Sequence, residues 1–113
     1  MNDQFPFGAL NKYQKLDFLH IYQIIYVKKC FITPSGVSLD FGISDHVQEL
    51  IDIQRAMLEI ADEVYILADS SKFESYAPLK ICDLDTSYRY LTDTSLPENI
   101  FETYQKASIS IKK

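Results

Sequence analysis

The sequence of 113 residues contains no tryptophan, two cysteines, three glycines and four prolines. So little glycine and proline excludes a collagen-like or low-complexity chain, and two cysteines are too few for a disulfide scaffold. Cys30 and Cys82 each lie in an apolar stretch, and we interpret them as buried free thiols of a reducing compartment rather than as metal ligands. The 47% of hydrophobic and 24% of charged residues are typical of one globular domain.

Positive charge is also scarce. Eleven Lys and Arg stand against sixteen Asp and Glu, which gives a net charge of −5, and only Arg55 and Arg89 are arginines. A protein that binds nucleic acid normally presents a basic face, because neutralising phosphates supplies most of its affinity. The composition therefore argues against direct DNA binding by this chain.

Long apolar runs are absent as well. No stretch reaches the ~18 apolar residues that a membrane span requires. Residues 1–15 lack the basic start and the apolar run of a signal peptide. We expect a cytoplasmic protein with no membrane contact.

What the sequence does contain is an alternation of helical and extended segments, which predicts an α/β layer fold with a mainly parallel sheet. Residues 1–10 are predicted to be irregular, and residues 37–43 form a glycine-containing loop. The predicted helices are 11–27, 45–61 and 97–105, although 24–27 could equally be strand. The predicted strands are 29–33, 63–68, 79–84, 89–92 and 108–111. The run at 63–68 is apolar on both faces, as in a central strand that helices cover on both sides.

The clearest helix is 45–61, for which Ser44 or Asp45 is a suitable N-cap. Its predicted apolar stripe consists of Val47, Ile51, Leu58 and Ala61, with Leu50, Met57 and Ile60 beside it. Gln54 interrupts this stripe, and a buried amide needs a hydrogen-bond partner. We interpret Gln54 as a structural residue with such a partner, and a functional role is the alternative.

The cluster of polar residues Asp69, Ser70, Ser71 and Lys72 follows the predicted strand 63–68 directly. Ligands of open α/β sheets bind beyond the carboxyl ends of strands, and two hydroxyls with an ammonium group can hold a phosphate. Asp and Ser are equally common in turns, where they bond locally, so a binding site and a plain turn both remain open.

Other signatures of chemistry are missing. The sequence has no Walker loop, no dinucleotide-binding glycine motif and no nucleophile elbow. His20 and His46 have no Cys or His neighbour at metal-ligand spacing, so no metal site is predicted. Asp83, Asp85 and Asp93 could be grouped, but we interpret them as separate loop residues.

Five stretches nevertheless carry a resemblance to a known family. They read CFITPSGVS from Cys30, FGIS from Phe41, QRAMLEIA from Gln54, VYILADSSKF from Val64 and YLTD from Tyr90. In this order, over about residues 28–111, they resemble the C-terminal sensor domain of DeoR-family transcriptional regulators, which are bacterial repressors of sugar metabolism. The branch that controls lactose or other sugar phosphotransferase systems is the most similar.

The resemblance implies a three-layer Rossmann-like fold related to the ribose-5-phosphate isomerase/NagB-like fold, incomplete in this chain. It divides the chain into a lead-in and N-terminal helix, 1–27, and the C-terminal part of an effector-sensing domain, 28–113. It implies a phosphorylated sugar as ligand and no cofactor. By position, Lys72 would neutralise ligand charge, and Asp69 and Ser71 would shape the pocket. The loop with Gly36 and Gly42 would supply backbone donors and close approach.

Two departures from the family pattern matter. Members carry an N-terminal winged helix-turn-helix and a first sensor half that this sequence does not match, which suggests a fragment or a truncated product. DNA would then be a partner only through the missing domain. Gln54 stands where the related isomerases carry a catalytic glutamate, and an amide cannot act as a general base. The favoured function is effector sensing and oligomerisation in a repressor. The alternatives are an isomerase-like enzyme, or a truncated subunit that only pairs with itself or with a full-length homologue.

Overall fold

The computed structural model describes residues 27–113. The predicted irregular segment 1–10 and helix 11–27 therefore lie outside the described residues, except that Val27 begins a strand. The strands are β1 (Val27–Ile32), β2 (Gly36–Ser38), β3 (Gly42–Asp45), β4 (Ala61–Leu67), β5 (Leu79–Cys82), β6 (Arg89–Leu91) and β7 (Ser110–Lys112). The helices are α1 (Gln48–Ile60) and α2 (Glu98–Lys106), and a 3-10 turn covers Ser70–Lys72.

A four-stranded sheet with the order β1-β4-β6-β7 forms the centre of the fold, and every strand pair in it is parallel. Its register aligns Ile32 with Ile66, Ile66 with Tyr90, and Tyr90 with Ile111. The predicted α/β class with a mainly parallel sheet is confirmed.

A second, antiparallel sheet with the order β2-β3-β5 was not predicted. The predicted loop 37–43 is wrong in this respect, because β2 and β3 form a hairpin that pairs Val37 with Ile43. Gly42 allows its tight return, since its φ of +89° lies in the left-handed region that favours glycine. The segment predicted as strand 79–84 becomes β5, which pairs with β3 rather than with the parallel sheet.

Helix α1 begins three residues later than predicted. Neither Ser44 nor Asp45 caps it, because β3 extends through both residues, and Val47 occupies the N-cap without a side-chain bond. The buried side chains of α1 are Ile51 and Ile53, whereas Val47 is 41% exposed, so the predicted stripe is wrong at its first position. Helix α2 starts after Pro97, as predicted. In the part of the chain from residue 27 onward, neither helix has the length and apolarity to cross a membrane.

The two faces of the parallel sheet differ in burial. Cys30, Ile32, Val64, Ile66 and Tyr90 point into the core, each at most 5% exposed. Burying an aliphatic side chain of this size contributes about 1.5–3 kcal/mol, so this face supplies much of the stability. The alternate positions, which we call the open face, remain exposed or half-buried: Lys29, Phe31, Glu63, Tyr65, Leu67, Arg89, Leu91, Ser110 and Lys112. β4 lies inside the sheet, between β1 and β6, as predicted. Cover on its open face stays a prediction, because among residues 27–113 Tyr65 and Leu67 are only half-buried there.

Candidate functional site

The strands of the parallel sheet all end at one edge, which we call the carboxyl edge. Two backbone bonds prolong the sheet there: the amide of Ala68 donates to the carbonyl of Leu91 at 3.1 Å, and the amide of Thr92 donates to the carbonyl of Lys112 at 2.9 Å. The residues that follow β4 and β6 are thereby held side by side. This is the position at which open α/β sheets bind ligands.

The 3-10 turn after β4 is organised by Asp69. Its Oδ1 accepts hydrogen bonds from the amide of Ser71, at 2.9 Å, and from the hydroxyl of Ser71. The hydroxyl bond from Ser71 holds the pKa of Asp69 below its usual value, so the carboxylate is charged at neutral pH. Asp69 and Ser71 therefore form a turn with local bonds, and both side chains remain exposed beside the carboxyl edge.

Lys72 closes this turn and is half-buried. Its ammonium group is near enough to Asp69 to favour the charged carboxylate. Among residues 27–113, none of the ion pairs involves Lys72. A cation with no paired carboxylate at a strand end is suited to an incoming anion.

Asp93, beyond β6, joins the turn through the backbone. Its Oδ2 accepts from the amide of Ser70 at 3.1 Å, and its Oδ1 accepts from the amide of Ser95 at 2.9 Å. These bonds, first of all the one from Ser70, lower the pKa of Asp93. Asp93 does not form a group with Asp83 and Asp85, since Asp83 pairs with Lys80 and Asp85 accepts a hydrogen bond from Ser87.

A shallow groove of about 400 Å³ lies along the carboxyl edge. It is lined by Leu67, Ala68, Asp69, Leu91, Thr92 and Asp93. The hydroxyl oxygen of Thr92 is buried without a hydrogen-bond partner among the described residues. Two charged carboxylates with a hydroxyl on an apolar floor can accept hydrogen bonds from a polyhydroxylated ligand. Thr92 was not predicted to belong to a site, and Asp93 was interpreted as a separate loop residue, although the same strand-end rule applies to β6.

Gly36 and Gly42 lie in the antiparallel sheet. A Cβ on Gly36 would stand 2.5 Å from the carbonyl oxygen of Ser75 and 2.6 Å from Oγ of Ser44. A Cβ on Gly42 would overlap the carbonyl of Cys82. The close approach at both glycines is made by the chain's own backbone, and the donor role for a ligand stays a prediction.

The loop after the turn connects the carboxyl edge to the rest of the fold. Glu74, with φ of 59°, donates its amide to the carbonyl of Val37 at 2.6 Å. Its carboxylate accepts from the amide of Leu39 at 3.3 Å and from the hydroxyl of the buried Tyr104. The turn is therefore attached to both the hairpin and α2.

Gln54 lies away from this turn, on α1. It lines a small cleft of about 180 Å³ with Phe31, Ile32, Thr33, Leu50, Ile53 and Met57. Its Oε1 is buried without a partner among the described residues, so the expected satisfied amide is not found there. The neighbouring Arg55 donates to the carbonyls of Ile81 and Lys80 at 2.8 and 2.7 Å, which ties α1 to β5.

The two cysteines are free thiols, as predicted, with Cys30 buried and Cys82 half-buried. Burial raises the pKa of Cys30 and raises that of Cys82 to about 11. A thiol with a raised pKa is a poor nucleophile at neutral pH. Among residues 27–113, no three Cys, His, Asp or Glu side chains could together hold a metal ion.

Comparison with known proteins gives one family match. The model of the DeoR C-terminal sensor domain matches residues 11–94. A transcriptional regulator named for the sgc region of Escherichia coli (strain K12) is 27% identical over 93 residues, which are 82% of this chain and 36% of that protein. An aga operon transcriptional repressor of Escherichia coli O157:H7 is 27% identical over 72% of this chain and 30% of its own length. An L-fucose operon activator of Haemophilus influenzae (strain ATCC 51907 / DSM 11121 / KW20 / Rd) is 27% identical over 83% of this chain and 35% of its own length.

Proposed function

The chain belongs to the family of DeoR C-terminal sensor domains of transcriptional regulators, and we propose that it senses a phosphorylated sugar in the groove at the carboxyl edge. The matched family is that of a sensor domain and not an enzyme family. The chain spans about a third of the length of the curated relatives it matches. DNA binding and oligomerisation of the whole regulator are therefore part of the proposal. The assignment of the α/β fold as Rossmann-like, related to the ribose-5-phosphate isomerase/NagB-like fold, is also part of the proposal.

One observation carries the proposal: the Asp69–Lys72 turn is bonded to Asp93 of the neighbouring strand end, so Asp69 and Asp93 border one groove and Lys72 lies in the same turn as Asp69. The two carboxylates would repel a phosphate, because both are charged at neutral pH. The phosphate is therefore assigned to the Lys72 end, beside the exposed Ser71. The sugar hydroxyls are assigned to Asp69 and Asp93, which accept hydrogen bonds.

The relatives support a sugar as the ligand class, since one of them is named as an activator of the L-fucose operon. The predicted loop donors Gly36 and Gly42 enter the proposal only indirectly. Both lie in the antiparallel sheet, and Gly36 contacts the loop that follows the turn. They would keep that loop in place and so fix the position of Lys72.

Isothermal titration calorimetry of the full chain tests the proposal with pentose and hexose monophosphates, each paired with its unphosphorylated parent sugar. We expect at least one monophosphate to bind and its parent sugar to bind more weakly. Replacing Lys72 by alanine should lower that affinity by about 10- to 100-fold, since hydrogen bonds to charged groups contribute about 1.5–3 kcal/mol.

The matched control is Lys106→Ala, which removes an exposed ammonium group from the last turn of α2. It should leave the affinity unchanged, and both variants should keep the far-ultraviolet circular dichroism of the parent chain. Absence of binding by every monophosphate would overturn the proposal. Equal affinities of the Lys72→Ala and parent chains would remove Lys72 from the site.

A further inference from the structure

We propose that the open face of the parallel sheet docks a helix from a full-length member of the same family, and that the docked helix completes the wall of the candidate groove. The docking rests on the exposed side chains of the sheet and on the greater length of the relatives. Only the coupling between the helix and the effector rests on the proposed function.

The open face has an aromatic and aliphatic centre. Phe31 is 54% exposed, and its ring stacks on Tyr65 with centroids 5.0 Å apart and an interplanar angle of 16°. The next row along the strands pairs Leu67 with Leu91 on the same face. Parallel sheets occur almost only with both faces covered, because the crossover connections between their strands place helices on the faces. An exposed phenylalanine on the edge strand β1, stacked on Tyr65 of the inner strand β4, indicates a docking surface.

Cations surround this apolar centre. The ammonium of Lys29 lies 5.9 Å from the ring centroid of Tyr65, and the guanidinium of Arg89 lies 5.5 Å from it. Lys112 pairs with Leu91 at the far edge of the face, and Glu63, 3.0 Å from Arg89, is the one carboxylate among the open-face residues. A positive face on a chain of net charge −5 complements an apolar helix that is bordered by carboxylates.

The structure favours a helix over a nucleic acid as the occupant. Aromatic residues on a sheet can stack bases, but they need free ring faces. Here Phe31 and Tyr65 stack on each other, and Lys29 and Arg89 lie over the Tyr65 ring. Helices are what normally cover the faces of an α/β sheet.

A full-length relative can supply such a helix. This chain aligns with 30–36% of the length of the three relatives, so each of them carries further residues that could cover the equivalent face. A helix that fits the face of one family member is expected to fit the similar face of another. The partner is therefore a full-length member whose helix has an apolar stripe bordered by Asp and Glu.

The open face and the groove share residues, which couples them. Leu67 and Leu91 belong to the open face, and they also line the groove beside Asp69 and Asp93. A helix packed on these two leucines would wall the groove on the side that is now open. Effector and helix should then each strengthen the binding of the other by the same factor.

Sedimentation velocity of the full chain mixed with the full-length L-fucose operon activator tests the docking. We expect a complex whose dissociation constant rises about tenfold or more for Phe31→Ser and for Arg89→Gln, since aromatic and Arg residues carry most interface energy. Tyr76→Ser is the matched control, because Tyr76 is 61% exposed but lies outside the parallel sheet. It should change the dissociation constant less than twofold. Circular dichroism confirms that each variant is folded.

The alternatives have distinct outcomes. No complex, or a complex that Phe31→Ser and Arg89→Gln leave unchanged, overturns the docking. A homodimer of the chain that Phe31→Ser weakens makes a second copy the occupant, and binding of a single-stranded RNA oligonucleotide that Phe31→Ser abolishes makes it a nucleic acid. Either result overturns the proposal.

The coupling is tested by adding the sugar monophosphate that binds most tightly in calorimetry. We expect it to tighten the complex severalfold, and an unchanged dissociation constant overturns the coupling. Failure of all monophosphates to bind would overturn the proposed function, while a complex sensitive to Phe31→Ser would still support the docking.

Discussion

Replacing Gly36 by alanine is a direct test of how the hairpin and the 3-10 turn at Ser70–Lys72 are held together. Gly36 lies in β2 and is buried against the loop that follows the turn. The added methyl group would stand 2.5 Å from the carbonyl oxygen of Ser75, 2.6 Å from Oγ of Ser44 and 3.1 Å from the amide nitrogen of Ala77. Two of these three atoms belong to the backbone, so a change of rotamer cannot relieve the overlap.

The size of the effect follows from two costs. Inserting a methyl group into a packed interior costs about 1–3 kcal/mol. The hydroxyl of Ser44 accepts a bond from the amide of Ala77 at 3.0 Å, and moving it aside leaves a buried donor unpaired, at about 1–3 kcal/mol. We expect Gly36→Ala to lower the free energy of unfolding by about 2–6 kcal/mol.

Urea denaturation followed by circular dichroism measures this loss. The double variant Gly36→Ala with Ser44→Ala separates the two costs, because it removes the hydroxyl but keeps the clash with Ser75. It should remain destabilised, by an amount that differs from the sum of the single effects. If Gly36→Ala alone costs less than about 0.5 kcal/mol, as a surface substitution does, the packing argument is refuted.

Two further predictions concern a helix end and a thiol. Ser108 follows α2 with φ of 65°, a conformation that costs a non-glycine residue about 1 kcal/mol. Ser108→Gly should therefore raise the free energy of unfolding, measured by urea denaturation, by about 0.5–1 kcal/mol. A loss of stability would contradict this prediction. The pKa of Cys82 is about 11 in the folded chain, against an ordinary value of 9.0, so the unfolded chain binds fewer protons between these pH values. The free energy of unfolding should therefore fall as the pH rises from about 9 to about 11, and less so in a Cys82→Ser variant; equal pH profiles of the two chains would contradict it.

Much of the parallel sheet could be predicted because its strands are visible as local apolar patterns in the sequence. The apolar run around Val64 and Ile66 has strand length, and Pro97 marks the start of α2. The hairpin could not be predicted in the same way. Its strands have only three and four residues, and what holds them is the pairing of Val37 with Ile43 and of Ile43 with Cys82. Such contacts between distant segments leave no periodic signal.

Of the candidate site, only the part that follows β4 could be predicted from the sequence. Asp69 and Lys72 stand directly after a clear strand, so the rule on carboxyl ends finds them. Asp93 follows a three-residue strand, and its value lies in accepting the amide of Ser70 from another segment. The adjacency of β4 and β6, which creates this bond, is a property of the sheet order.

The two faces of β4 differ in side-chain burial, although the sequence of the strand gives little sign of this difference. Residues 64–67 of this strand are apolar on both faces, as in a strand that is covered twice, yet only Val64 and Ile66 among them are buried. Tyr65 and Leu67 remain half-exposed on the other face. An aromatic and a leucine are costly to leave in water, at about 25 cal/mol for each Å² of apolar surface. Among residues 27–113, only the core face of this strand is fully covered. The partner proposed for the open face would account for Tyr65 and Leu67 better than chance composition does. Because Leu67 also lines the candidate groove, that partner would contact the groove directly.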